Sequence, residues 1–149
     1  MIDFGTLSHI LARLFAATVL GGFLGAEREI HGRWAGFRTH MMVAMGSAMF
    51  VIAGTEIASS SPAELTRVIQ GVATGIGFLG AGTILQLSDR MEVKGLTTAA
   101  SVWSAAAVGT AAGLGQYELA VGGTLVSIVV LSLLRPLDQF FAHKGKGKR

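Results

Sequence analysis

The 149-residue chain has no cysteine, no asparagine, only two prolines and few charges. Without cysteine it can form neither a disulfide framework nor a thiolate metal site. Proline occurs only at 62 and 136, so no long apolar run is broken by one. Asp, Glu, Lys and Arg make up 14% of the residues, against about 25% in a soluble domain. A soluble protein of this length must cover a large surface with polar groups, and this composition cannot. A disordered chain, a stapled secreted domain and a nucleic-acid binder fit equally poorly. No GxxxxGK[ST] phosphate loop, GxSxG elbow or HExxH pair occurs, so the chain reads as non-enzymatic and without a cofactor.

What is present is apolar sequence. Hydrophobic residues make up 51% of the chain and glycine occurs 21 times. The mean hydropathy is +0.58 and the pI about 9.8. A span needs roughly 20 mostly apolar residues, and five stretches qualify: about Ser8–Ala26, Thr39–Ala58, Pro62–Gln86, Leu96–Gly115 and Tyr117–Leu134. The expected fold is all-α, a polytopic membrane protein of five transmembrane helices occupying residues 1–142. Residues 143–149 form a flexible basic tail near anionic headgroups.

Orientation follows from where the basic residues lie. Arg28, Arg33, Arg38, Arg90, Lys94, Arg135, Lys144, Lys146, Lys148 and Arg149 all fall on one side. The other side has Asp3, Glu56, Glu64 and Glu118, with Arg67 as its only base outside a span. The N-terminus is therefore expected outside and the tail in the cytoplasm. A cleaved signal peptide is disfavoured, because Asp3 and no base precedes the first apolar run. Ser61, Pro62 and Glu64 read as an N-cap, a first helical residue and a capping box for the third helix.

An internal repeat is visible. Gly22-Phe23-Leu24-Gly25-Ala26 recurs as Gly77-Phe78-Leu79-Gly80-Ala81, and Gly36-Phe37-Arg38-Thr39 recurs as Gly95-Leu96-Thr97-Thr98. Helices 1–2 and 3–4 thus look like two copies of one hairpin, related by an axis along the membrane normal. Glu27 and Arg38 are present together in the first copy, while Gly82 and Thr97 stand in their places in the second. Charges near lipid are costly unless paired or wetted, so Glu27 and Arg38 are expected to form an ion pair.

Small residues let helices approach closely in lipid. Gly21 and Gly25, Gly71 and Gly75, and Gly109 and Gly113 make three GxxxG pairs, and Gly77, Gly80 and Gly82 thin the third helix further. Such a helix is expected at the centre of the bundle. Polar stripes run along helix four (Thr97, Ser101, Ser104, beside Thr98) and helix three (Gln70, Thr74). They either line a site or bond across helices. Arg13 is expected to snorkel to the outer surface, or to pair with Glu56 or Glu118. A Mg²⁺ ion is typically held by one or two carboxylates, and Glu27, Glu29, Asp89 and Glu92 share one face. The arginines around them argue against strong cation attraction. His9, His31, His40 and His143 have no metal-ligand spacing.

Four blocks carry a resemblance: Gly25-Ala26-Glu27-Arg28-Glu29, Ala35-Gly36-Phe37-Arg38-Thr39-His40, Gly75 to Gly82, and Gly95 to Trp103. Together, in this order and spacing, the chain resembles the MgtC/SapB family of bacterial inner-membrane proteins from about Leu11 to Leu134. The resemblance implies about five spans and links to growth at low Mg²⁺, survival in macrophages and control of membrane partners including the ATP synthase. It covers the membrane domain only, without the soluble C-terminal domain of the best-known members. Glu27, Arg38, Gly80, Thr98 and Trp103 match the family pattern. Some members have cysteine at the place of Ser104 and asparagine at that of Thr97, so roles tied to those side chains do not carry over. The implied function is a regulator acting through another membrane protein, or through copies of itself, in Mg²⁺ limitation or stress. The alternative is a transporter or channel for Mg²⁺ or another small solute.

Overall fold

The computed structural model describes residues 4–57, 61–87 and 92–134. They form five helices: α1 (Phe4–Ile30), α2 (Phe37–Ile57), α3 (Pro62–Gly82), α4 (Leu96–Gly113) and α5 (Tyr117–Leu133). Between α3 and α4 lie two short strands, β1 (Leu85–Leu87) and β2 (Glu92–Lys94), paired antiparallel with Leu85 opposite Lys94. The all-α expectation therefore holds, with this small addition. The 27-residue α1 is long and apolar enough to cross a membrane, with a mean hydropathy of 1.6 in its most apolar stretch. The 17-residue α5 is apolar but shorter.

The two ends of α3 differ from the sequence reading, one in its boundary and the other in its cap. The third helix was expected to reach Gln86 but ends at Gly82, where Thr83 donates its N–H and its hydroxyl to the Gly80 carbonyl. Gly80 and Gly82 are weak helix formers and Thr83-Ile84-Leu85 favours strand, so the backbone leaves the helix there. At the other end of α3, Ser61 is the N-cap and Pro62 begins the helix, but the Ser61 side chain makes no capping bond. The Glu64 N–H donates to the Ser61 backbone carbonyl at 3.1 Å instead.

The centre of the bundle is α4, not the glycine-thinned α3. Helix α4 packs against α1, α2, α3 and α5, and ten of its residues are buried against two of α3, Ile76 and Gly80. Its own sequence explains this. Ala105, Ala106, Ala111, Ala112, Gly109 and Gly113 are all small residues, and alanine costs no helix propensity. The core is accordingly made of small residues, with Ala17, Ala48, Ala105, Ala111, Ala112 and Ala120 grouped around Leu24 and Val108. Large apolar side chains lie outside: Phe15, Phe23, Phe50, Phe78, Leu125 and Leu133 are all exposed.

Backbones approach closely where glycine permits. A Cβ at Gly21 would stand 2.6 Å from the His40 carbonyl oxygen, and one at Gly113 would stand 2.8 Å from Ala48 Cα. The α4–α5 connection is a Schellman turn. Gln116 N–H donates to Ala111 O, Gly115 N–H to Ala112 O, and Gly115 takes φ +77°. That positive φ is the left-handed conformation for which glycine is the usual residue.

Candidate functional site

The last turn of α1 builds a buried polar cluster. Glu27 is 8% exposed and Arg28 3%. Arg28 Nη1 donates to Glu27 Oε2 at 3.2 Å. His31 Nδ1 lies 2.8 Å from the Glu27 carbonyl and 2.9 Å from Oε1. A backbone carbonyl can only accept, so Nδ1 carries the proton. From α5, Ser132 Oγ donates to the same Oε1 at 3.3 Å. One carboxylate thus joins α1, its own C-terminal turn and the end of α5.

The expected Glu27–Arg38 ion pair is not formed. Glu27 pairs with Arg28 and His31, while Arg38 is exposed and enters no ion pair among the described residues. The register of α2 is the reason. Gly25 packs on the Phe37 backbone and Gly21 on His40 and Ala44, so positions 37, 40 and 44 lie toward α1 and 38 points away. Glu29 has a role the sequence reading missed. Its Oε2 accepts the Phe37 N–H at 3.1 Å, setting a carboxylate on the positive end of α2.

His40 was also passed over, because spacing along the chain does not reveal a partner 61 residues away. It is fully buried. Its Nδ1 donates to the Gly36 carbonyl at 2.9 Å and its Nε2 lies 3.1 Å from Ser101 Oγ. Ser101 Oγ also lies 2.8 Å from Thr98 O, so its single proton is shared between that carbonyl and Nε2. This chain of bonds fastens α2 to α4. The polar stripe of α4 therefore divides: Ser101 is buried against His40, Thr97 is exposed, and Ser104 returns its hydroxyl to Ala100 O at 3.0 Å. On α3, Gln70 is exposed and Thr74 donates back to Gln70 O at 2.8 Å.

Arg13 meets neither Glu56 nor Glu118, and its guanidinium reaches the connection between α4 and α5. Its Nη1 donates to Gly113 O at 3.2 Å, and its guanidinium lies beside Gly115. A cation there satisfies a last-turn carbonyl and faces the negative end of α4. Arg13→Gln is expected to cost about 1.5–3 kcal/mol, the range of hydrogen bonds to a charged group. An unfolding titration in mixed detergent measures it, and no loss would remove Arg13 as a cap.

The glycines separate into two kinds. Gly21, Gly25, Gly109 and Gly113 are pressed against α2, and a Cβ at Gly80 would stand 3.6 Å from Ala99 Cβ, in ordinary contact. Cβ atoms at Gly46, Gly71, Gly75, Gly77 or Gly82 would meet nothing within 4 Å. Gly46, Gly71 and Gly75 instead line an apolar groove of about 630 Å³ between α2 and α3, with Met42, Phe50 and Val68 among its walls.

The model of the MgtC family matches residues 14–140. The chain belongs to the MgtC family. Among MgtC-family relatives it is similar to protein MgtC of Brucella abortus, 45% identical over 134 residues that cover 89% of this chain and 54% of the relative. It is 42% identical to protein SrpB of Synechococcus elongatus, over 85% of this chain and 75% of that protein. It is 38% identical to YhiD of Escherichia coli, named as a candidate magnesium transporter, over 93% of this chain and 66% of that protein. It thus spans about half the length of the Brucella MgtC relative. No solved structure matches. Family membership and the membrane-capable α1 make the chain a membrane protein. Among the described residues of this MgtC-family chain, no three His, Cys, Asp or Glu side chains are grouped to hold a metal ion. Asp89 lies outside the described residues.

Proposed function

We propose that this chain is a non-enzymatic, multi-pass protein of the bacterial inner membrane that regulates another membrane protein during Mg²⁺ limitation or stress. It does so by receiving a partner's transmembrane helix in the groove between α2 and α3. The groove carries the proposal. Its glycines meet no neighbour, whereas the chain's own helices close on Gly21, Gly25, Gly109 and Gly113. A glycine-floored apolar channel of this kind suits a helix that packs by close backbone approach.

The five-span reading is supported by length and by the placement of side chains. Helices α2 and α3 have 21 residues each, about 31 Å at 1.5 Å per residue, near the 30 Å of hydrocarbon. Large apolar side chains point outward from a core of alanine and glycine, the reverse of a water-soluble bundle. The hairpin repeat is supported by the packing pattern. The helix contacts are α1 with α2, α3 with α4, α1 with α4, α2 with α3, and α2 with α4, a set that survives exchange of the two hairpins. Helix α5 stands apart, packing on α4 and α1. The basic residues after α1 and α3 favour a cytoplasmic location for that end.

A transporter is the second reading, favoured by the name of the YhiD relative. Mg²⁺ flux into proteoliposomes containing this chain alone decides between them. The expected result is uptake equal to protein-free vesicles. Uptake that falls when Gln70 or Glu27 is replaced would make the chain a carrier and end the regulatory reading.

A further inference from the structure

At the end of the bundle where α2 and α4 begin, a cavity of about 520 Å³ opens between the α1–α2 connection and the start of α4. Arg33 and Trp34 line it from the first side, and Lys94, Gly95, Thr97 and Thr98 from the second. Thr98 is 6% exposed and its hydroxyl makes no hydrogen bond among the described residues. The residue lines the cavity and its hydroxyl is not among the side-chain atoms shut off from solvent, so it is available to a ligand there.

The backbone adds to the same demand. Gly95 caps α4 at φ +98° and no side chain caps the helix. A Cβ at 95 would run into the Thr83 carbonyl oxygen, so residue 95 cannot supply a capping side chain. The first N–H groups of α4 therefore lack an intrahelical acceptor at the positive end of the dipole. Two cations from separate segments, the hydroxyl of a buried threonine and these donors all favour one kind of ligand: a compact anion with several acceptor oxygens.

We propose that this cavity binds a phosphate group. It is presented either by an anionic phospholipid headgroup or as free phosphate. Trp34 (75% exposed) and Leu96 (60% exposed) flank it, an aromatic and an aliphatic side chain beside cations, as at a membrane interface. The lipid source rests on the membrane reading above. The site is distinct from the α2–α3 groove, so either can fail without the other.

The test is native mass spectrometry of the delipidated chain titrated with phosphatidylglycerol, with dioleoylglycerol as a phosphate-free competitor. A parallel ³¹P NMR titration uses inorganic phosphate. One phosphatidylglycerol is expected to bind, about tenfold more weakly in Arg33→Gln and in Thr98→Val, the loss of one charge-assisted bond. Arg67→Gln, on the exposed face of α3, is expected to bind as the parent does. Inorganic phosphate binding with the same dependence on Arg33, and no lipid binding, would assign the site to free phosphate. Equal binding by the parent and Arg33→Gln, equal retention of dioleoylglycerol, or binding of neither phosphate ligand would overturn the proposal. If Thr98→Val fails to fold, Arg33→Gln, in the exposed connection, decides alone.

Discussion

Gly109→Ala is expected to destabilise the bundle by about 2 kcal/mol or more, because one added methyl group overpacks a site that cannot relax. A Cβ there overlaps the Ala44 carbonyl oxygen and stands 2.6 Å from Ala44 Cα. Both are backbone atoms of α2, and no rotamer change moves them aside. The same substitution at Gly71 meets nothing within 4 Å and sits on an exposed stretch of α3. There alanine is expected to raise stability by up to about 1 kcal/mol through helix propensity. Midpoints of unfolding in a denaturing-detergent titration measure both. Equal midpoints for the two variants would mean that α2 and α4 do not cross at this separation. A Gly71 variant that keeps its stability is also the right tool for the groove, since any loss of partner binding then has a local cause.

The second large effect is expected at Glu27. Glu27→Ala removes the carboxylate beside a guanidinium that is 97% shielded from solvent, and breaking a buried charge pair costs about 3–5 kcal/mol. It also takes one of the two acceptors of His31 and the carboxylate partner of Ser132, loosening the hold of α1 on α5. Arg38→Ala is expected to leave the unfolding midpoint unchanged, because Arg38 is exposed and lies outside the cluster. A sequence-based ion pair between Glu27 and Arg38 requires both variants to lose the same amount. Melting curves of the two single variants and the double variant therefore discriminate the two geometries.

Much of the architecture was legible because its signals are local. Five apolar runs place five helices to within a few residues, since each run carries its own length, its own flanking charges and, at Ser61-Pro62, its own start. The error at the end of α3 is of the same local kind: Leu85 and Gln86 were counted by hydropathy, while strand propensity decided their conformation. Which helix is central was not legible, because the glycines of α3 and the alanines of α4 satisfy the same small-residue rule. Only the packing separates a surface that is filled from one that is left open. The polar site was half legible. Glu27 was singled out correctly as a charge that needs a partner, but the partner was sought across the hairpin at Arg38, and it is the adjacent Arg28. His40 with Ser101, and Glu27 with Ser132, join residues 61 and 105 positions apart. No periodicity of a single sequence encodes such distances. Arg13 shows the same limit, since its acceptor is a backbone carbonyl that has no residue identity to search for.

A core built from alanine and glycine also has a mechanical consequence. Methyl groups and hydrogens have no rotamers to exchange, so the interior offers no slack with which one helix could slide past another. A shift of one residue between α2 and α4 would drive a methyl group of α4 into the main chain of α2 at residue 44 or 48. Large excursions are thereby denied to α1, α2 and α4, which must travel as one block. Helix α3 is less tied to that block, with two buried residues and a groove along its α2 side.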